Sequence, residues 1–464
     1  MKEKQRSTFT GSVGFVLAAA GSAVGLGNIW RFPYFAAKND GGLFLAIYLI
    51  LAVTFGFALL MTEVALGRKT KASPLKAYGI INKNWKWIGY FAVIVPFLIM
   101  PYYCAIGGWL IKYCLVFLTG QGEIAADSQF FGGFITDTVE PLVLMALFVF
   151  LTSFIIYRGI DKGIEKSSKL FMPILLLLVI GIAAFSLTLE FTDGNVTRTG
   201  LEGLAVYCIP EFNDLSVGRL FSITLDAMGQ LFFSISVAMG IMVAYGSYFR
   251  DKGNIAKSVI HIEFFDTLVA FLAGVMIILP LYVFMGREGM SASGPSLLFV
   301  TMPKIFTVMG PVGTVVGIVF FVMAFFAALT SCVSIMEAIV SSFMEGFKIS
   351  RNHATILEGA VALILGAVVC LGYNLFYFEV SMPGGGTGQI LDIMDYVSNN
   401  VLMPVVAIST CLLIGWVASP KTIIAEATKN GEKFYGKGLY ALLMRFIAPV
   451  LLTVLLINSM GLVG

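Results

Sequence analysis

Charged side chains are scarce in this sequence: Asp, Glu, Lys and Arg make up 12% of its 464 residues. Soluble domains carry about 25%, so a soluble globular protein is excluded. Histidine is nearly missing; His261 and His353 lie far apart, and no histidine-based metal site is expected. The six cysteines form no disulfide framework. Cys104, Cys114, Cys332, Cys370 and Cys411 fall inside apolar runs and only Cys208 in a connection, which reads as small apolar packing residues. Nothing shows the alternation over about 10 residues that marks a barrel strand. The basic start "MKEKQRSTFT" precedes an apolar run without a small-residue cleavage site, so no signal peptide is expected. No nucleophile–base set or metal cluster points to an enzyme.

What the chain has in abundance is hydrophobicity, 58% of residues with a mean hydropathy of +0.91. Apolar stretches long enough to cross about 30 Å of hydrocarbon recur throughout. Eleven helical spans are predicted, at 12–37, 42–67, 88–118, 141–157, 167–189, 220–249, 257–284, 311–347, 354–374, 388–417 and 440–462. Lys and Arg collect in the N-terminal tail and in every second connection, as in "GRKTKASPLKAYGIINKNWK". The opposite connections are acidic or neutral, as at Glu123, Asp127, Asp137 and Glu140. Positive charge stays in the cytoplasm, which places the N-terminus there and, with eleven spans, the C-terminus outside. The expected architecture is one all-α integral membrane domain, 1–464. The connections at 190–219 and 285–310 are long enough for short external helices, and "EVSMPGGGTGQI" reads as an external turn.

Two spans are built to break. The first contains "GSAVGLGNIWRFPY" (21–34) and the sixth "FFSISVAMGIM" (232–242). Glycine costs about 1 kcal/mol in a helix interior, and unwound backbone is tolerated in lipid only where it is buried in protein or lines a polar cavity. "GSAVG" is also a GxxxG pattern for close helix packing. That reading leaves Asn28, Arg31, Pro33 and the sixth span unexplained. Paired interruptions five spans apart point to a transporter site between inverted repeats, here about 12–189 and 220–417, with helix 11 at about 440–462 peripheral.

These stretches, with "MTEVALGR" (61–68), "PYYCAIGGW" (101–109), "GQLFFSISVAMG" (229–240), "FFAALTS" (325–331) and "LDIMDY" (391–396), occur in order along the chain. Together they resemble the neurotransmitter:sodium symporter family, from about residue 6 to 460. The resemblance implies sodium-coupled symport by alternating access across the plasma membrane (the bacterial inner membrane), with two Na+ sites. The first would use Ala23, Asn28, Ser234 and Asp266, oxygen ligands suited to a hard cation. The second would use Gly21, Val24, Ala327, Thr330 and Ser331. Taken alone, Thr330 and Ser331 read as helix hydroxyls bonded to the preceding turn.

Gly25 stands where amine-carrying relatives have an aspartate, so the resemblance implies an amino acid substrate. Its carboxylate would meet the Leu26 and Gly27 amides, the Tyr103 hydroxyl and the first sodium. Its ammonium would meet carbonyls near Ala23, Phe233 and Ser236. The side-chain pocket would be Ile99, Tyr103, Phe233, Met239, Ser331 and Ile335, with Ser234 beside it; it holds no charge, so an aliphatic or moderately large apolar L-amino acid is expected, and aromatic ones are left open. Ala238 replaces a family glycine, and its methyl is expected to intrude slightly. Arg31 and Asp395 resemble an extracellular gate, and Arg6 with Glu345 a cytoplasmic latch beside Tyr248; Phe9 replaces the usual Trp. Chloride is expected to be dispensable, because Asp266 brings a fixed negative charge and Ala270 lacks a hydroxyl. Glu63 is expected to brace the broken backbone, while Glu337 has a structural and a transport reading. Another small carboxylate as substrate, or an amino acid sensor that has lost transport, are the alternatives. The partners implied are the substrate and the bilayer, without nucleic acid; the residues do not decide for or against a homodimer.

Overall fold

The structure is a computed structural model describing residues 8–39, 41–210, 212, 215–287, 294–383 and 386–461. Among them, nine helices are long and apolar enough to cross a membrane: Gly42–Thr70, Lys83–Leu118, Glu140–Tyr157, Ile160–Leu187, Ile255–Met285, Pro311–Gly346, Arg351–Leu371, Ile390–Val417 and Lys437–Ser459. A tenth forms if the bent pair Ser12–Ala23 and Gly27–Lys38 is taken as one span. The expectation of eleven needs a qualification. The sixth stretch is divided into the helices Val217–Ser234 and Ile241–Ser247 and is not among these spans. Its break leaves a second half of only 7 residues. The spans keep their order number below.

Lipid sets which faces are apolar. Large side chains such as Val53, Phe150, Leu177, Ile364 and Val450 point outward, while Asn28, Glu63, Gln230, Asp266 and Glu337 are buried. Hydrocarbon offers no hydrogen bonds, so polar groups gather inside the bundle. Small residues let helices approach. A Cβ on Gly67 would lie 2.1 Å from the Val243 carbonyl oxygen, and one on Gly246 2.3 Å from that of Val64. Span 2 and the second half of span 6 are thus in backbone contact.

The connections carry little structure. Residues Glu190–Asp193 and Val196–Thr199 pair as an antiparallel hairpin, followed by the helix Gly200–Cys208, which starts in a Thr199–Glu202 capping box. The short apolar helix Gly294–Val308 occupies the other long connection. The glycine-rich turn is a small hairpin of Val380–Ser381 with Thr387–Gly388. All six cysteines are free thiols.

Candidate functional site

The first helix stops at Ala23, and Val24 is extended, with φ −74° and ψ 91°. A wide turn at Gly27–Arg31 starts the second half, bent 50° from the first. Pro33 sits in the first turn of the helix Phe32–Lys38, where its missing N–H leaves no gap. The glycines are there for space. A Cβ on Gly25 would lie 2.6 Å from Ser331 Oγ, and one on Gly27 2.8 Å from the Phe233 ring.

Span 6 breaks differently. Ser236, Ala238 and Gly240 all take left-handed conformations, with φ +55°, +61° and +72°. The two non-glycine residues each cost on the order of 1–3 kcal/mol there and persist because partners hold them. The Ala238 N–H donates to Glu63 Oε1 at 2.6 Å. Ser236 Oγ donates to the Ser22 carbonyl at 3.1 Å, and Ser22 Oγ to Ser236 Oγ at 3.1 Å. The two breaks are therefore stitched together, and Glu63 braces span 6.

Between them lies a small cavity of about 30 Å³, walled by Ala23, Gly25, Leu26, Gly27, Ile99, Tyr103, Phe233, Ser234, Ser236, Met239, Ser331 and Ile335, together with Ser22 and Asn28. The wall brings together every position assigned above to the substrate. Ala238 is not part of it. Its backbone turns into the left-handed region and its N–H toward Glu63, so the expected narrowing by its methyl does not occur. Leu26 N lies 3.5 Å from the Tyr103 hydroxyl.

Asp266, fully buried, lies behind two residues of the cavity wall, Asn28 and Ser234. Its Oδ1 accepts from Asn28 Nδ2 at 2.8 Å and Ser234 Oγ at 2.7 Å, and its Oδ2 from the Tyr48 hydroxyl at 3.4 Å. Asn28 Oδ1 accepts the Gly25 N–H at 3.1 Å. Among the described residues no Lys, Arg or His pairs with this carboxylate. A second oxygen cluster lies where span 1 meets span 8. Ser331 Oγ is 3.0 Å from the Ser22 carbonyl and 3.4 Å from that of Gly21. Thr330 Oγ1 turns back to Phe326 and Ala327 at 3.0 and 3.1 Å, the helical arrangement expected of such a hydroxyl alone.

Above the cavity is a wider one of about 280 Å³, also bounded by Tyr103 and Phe233, so these rings stand between the two. Arg31 and Asp395 both face it but form no direct ion pair. Arg31 lies over the Phe233 ring, 5.3 Å from its centre, and Asp395 Oδ1 accepts from Tyr102 at 3.0 Å and Asn399 at 2.6 Å. At the other end of the bundle, Glu345 accepts from the Ser73 N–H and hydroxyl, at 3.1 and 2.7 Å. Arg6 lies outside the described residues. The Tyr248 hydroxyl donates to Glu337 at 2.6 Å, and Arg351 grips Glu337 with two bonds of 2.7 Å. Phe9 is buried edge-on against Phe15, Tyr245 and Tyr248, and Thr10 donates to Glu165.

Residues 6–125 and 134–463 match the sodium:neurotransmitter symporter family. The chain belongs to that family. It is 33% identical to the uncharacterized sodium-dependent transporter YhdH of Bacillus subtilis, covering all of both chains. It is 30% identical to an uncharacterized sodium-dependent transporter of Methanocaldococcus jannaschii, over 98% of this chain and 90% of the other. The crystal structure of MhsT in complex with L-phenylalanine superposes with a TM-score of 0.85 at 34% identity, covering 98% and 100% of the two chains. This is a sodium-dependent, multi-pass membrane transporter, not an enzyme.

Within this symporter, sequence reasoning passed over Glu263. It is buried one turn before Asp266, and its Oε1 has no hydrogen-bond partner. An acid inside the apolar run 257–284 was the available signal. Tyr102 and Asn399 hold Asp395, and nothing in the sequence pairs Tyr102 with an acid 293 residues away. Gln230 donates to the Gly27 carbonyl at 3.0 Å and ties the two broken spans together once more.

Proposed function

We propose that this transporter couples sodium to the uptake of an apolar L-amino acid, by alternating access between two inverted repeats, about 12–189 and 220–417. The observation that carries the reading is the division of the site. Behind Asn28 and Ser234 a buried carboxylate, Asp266, lacks a cationic partner among the described residues; on the cavity wall stand Ile99, Met239, Phe233 and Ile335, with no charge among them. A buried unpaired carboxylate is costly, and a sodium ion held by Asp266, Asn28, Ser234 and the Ala23 carbonyl would offset it. Oxygen ligands of this kind suit a hard cation. The substrate carboxylate would complete that site while reaching the Leu26 and Gly27 amides and the Tyr103 hydroxyl. The ammonium would face the carbonyls freed by the breaks. MhsT, solved with L-phenylalanine, supports an amino acid that can be as large as an aromatic one.

A second sodium would sit among the Gly21, Val24 and Ala327 carbonyls, with Thr330 turning from its helical bonds and Ser331 from the Ser22 carbonyl to meet it. Its departure would free span 1 and open the cytoplasmic end, where Arg6, Glu345 and Tyr248 act as the latch. Arg31 and Asp395 would close the outer side by bridging across Phe233 and Tyr103. The N-terminus would be cytoplasmic and the C-terminus outside. Chloride would not be required, because Tyr48 and Ser234, donors an anion would need, already serve the Asp266 carboxylate.

Thermal-shift screening of the purified protein against the twenty amino acids, with and without sodium, tests this. Stabilisation by apolar amino acids that requires sodium is expected. A carboxylate without an amine that stabilises equally well would overturn the amino acid assignment. Asn28→Ala and Thr330→Val are each expected to abolish sodium-dependent uptake at normal expression. Uptake unchanged when gluconate replaces chloride is expected as well.

A further inference from the structure

Directly behind the cavity wall is a cluster of sulfurs that the transport reading does not use. Cys104 Sγ of span 3 and Cys332 Sγ of span 8 lie 3.7 Å apart, and Cys332 Sγ is 3.6 Å from Met100 Sδ. All three side chains are fully buried. Met100 and Cys104 are one turn apart on the helix Trp87–Leu118, so they present sulfur on one face. Three sulfurs bound to one metal ion at about 2.3 Å stand about 3.8 Å apart at tetrahedral angles and about 4.0 Å apart in a trigonal plane. The two separations from Cys332 are within a few tenths of an ångström of that.

We propose that Met100, Cys104 and Cys332 form a site for a soft monovalent metal ion, Cu(I) or Ag(I). Thiolate and thioether sulfur select such ions. No three His, Cys, Asp or Glu side chains gather into a metal site among the described residues, which leaves Zn(II) without the four ligands it needs. Cys104 follows Tyr103 and Cys332 follows Ser331, so the ion would clamp spans 3 and 8 behind two residues of the cavity wall.

The test is anaerobic titration of the full-length protein in detergent with Cu(I), kept reduced by ascorbate, against a chromogenic Cu(I) chelator. A variant with Cys114, Cys208, Cys370 and Cys411 changed to Ser is expected to bind one ion per chain and show three sulfur neighbours by X-ray absorption. Adding Cys104→Ser or Cys332→Ser is expected to weaken binding by at least about tenfold, and Met100→Leu to leave two sulfur neighbours. Far-UV circular dichroism and the unfolding temperature check that each variant is folded. No ion bound by the four-Ser protein, or equal binding after Cys104 and Cys332 are both replaced in a folded variant, would overturn the proposal and leave a thiol–thiol hydrogen bond only.

Discussion

A methyl group at Gly25 probes the cavity most directly. The Cβ of Gly25→Ala would lie 2.6 Å from Ser331 Oγ and 3.2 Å from the Tyr103 hydroxyl. Ordinary contact begins at 3.4 Å, so Ser331 Oγ must retreat by roughly 0.8 Å, the difference from 2.6 Å. That hydroxyl now donates to the Ser22 carbonyl at 3.0 Å. Losing the bond inside the bundle costs about 1–3 kcal/mol, or about 5- to 150-fold in an equilibrium constant. The methyl also occupies space assigned to the substrate carboxylate. The expected outcome is a weaker apparent affinity for sodium and amino acid, in that range, with a folded protein. Sodium-dependent radioligand binding in detergent, followed by uptake into proteoliposomes, measures it. The variant Ser331→Ala removes the clashing atom, so the pair should lose less than the two single changes multiplied together. Wild-type affinity in Gly25→Ala would refute the reasoning, as would full multiplicativity of the pair.

Other expectations concern the groups that hold the two breaks and the closed end. Glu337→Ala strands a largely buried Arg351 and should destabilise by about 3–5 kcal/mol, whereas replacing both by Met should cost far less; thermal unfolding in detergent compares them. Glu63→Gln keeps an oxygen for the Ala238 N–H and should unfold close to the wild type. Glu63→Ala leaves that amide unpaired and should lose about 1–3 kcal/mol, seen as a lower unfolding temperature. Arg68 bonds the Glu426 carboxylate at 2.8 Å and the Gly253 carbonyl at 2.6 Å. Lysine lacks its planar fork, so Arg68→Lys should lower the unfolding temperature although the charge is kept.

The sequence by itself determined what rests on local chemistry. Hydropathy over about 20 residues marks a span whatever it packs against. Gly21, Gly25, Gly27 and Pro33 announce a break because helix propensity belongs to the residue. The ordered motifs then named a set of positions that fold around one cavity. The tertiary structure decided what depends on partners distant in the chain. Cys104 and Cys332 meet across 228 residues, and no periodicity encodes that meeting. Glu337 was ambiguous as a buried acid until Arg351 and Tyr248 appeared beside it. Ala238 looked like a methyl in the pocket, but its positive φ and its bond to Glu63 turn it elsewhere. Arg31 and Asp395 share a cavity, yet an aromatic face holds one and Tyr102 with Asn399 the other. Burial can be read from one segment at a time; which polar group satisfies which is settled only when the segments come together, because in hydrocarbon every partner must be supplied by the protein.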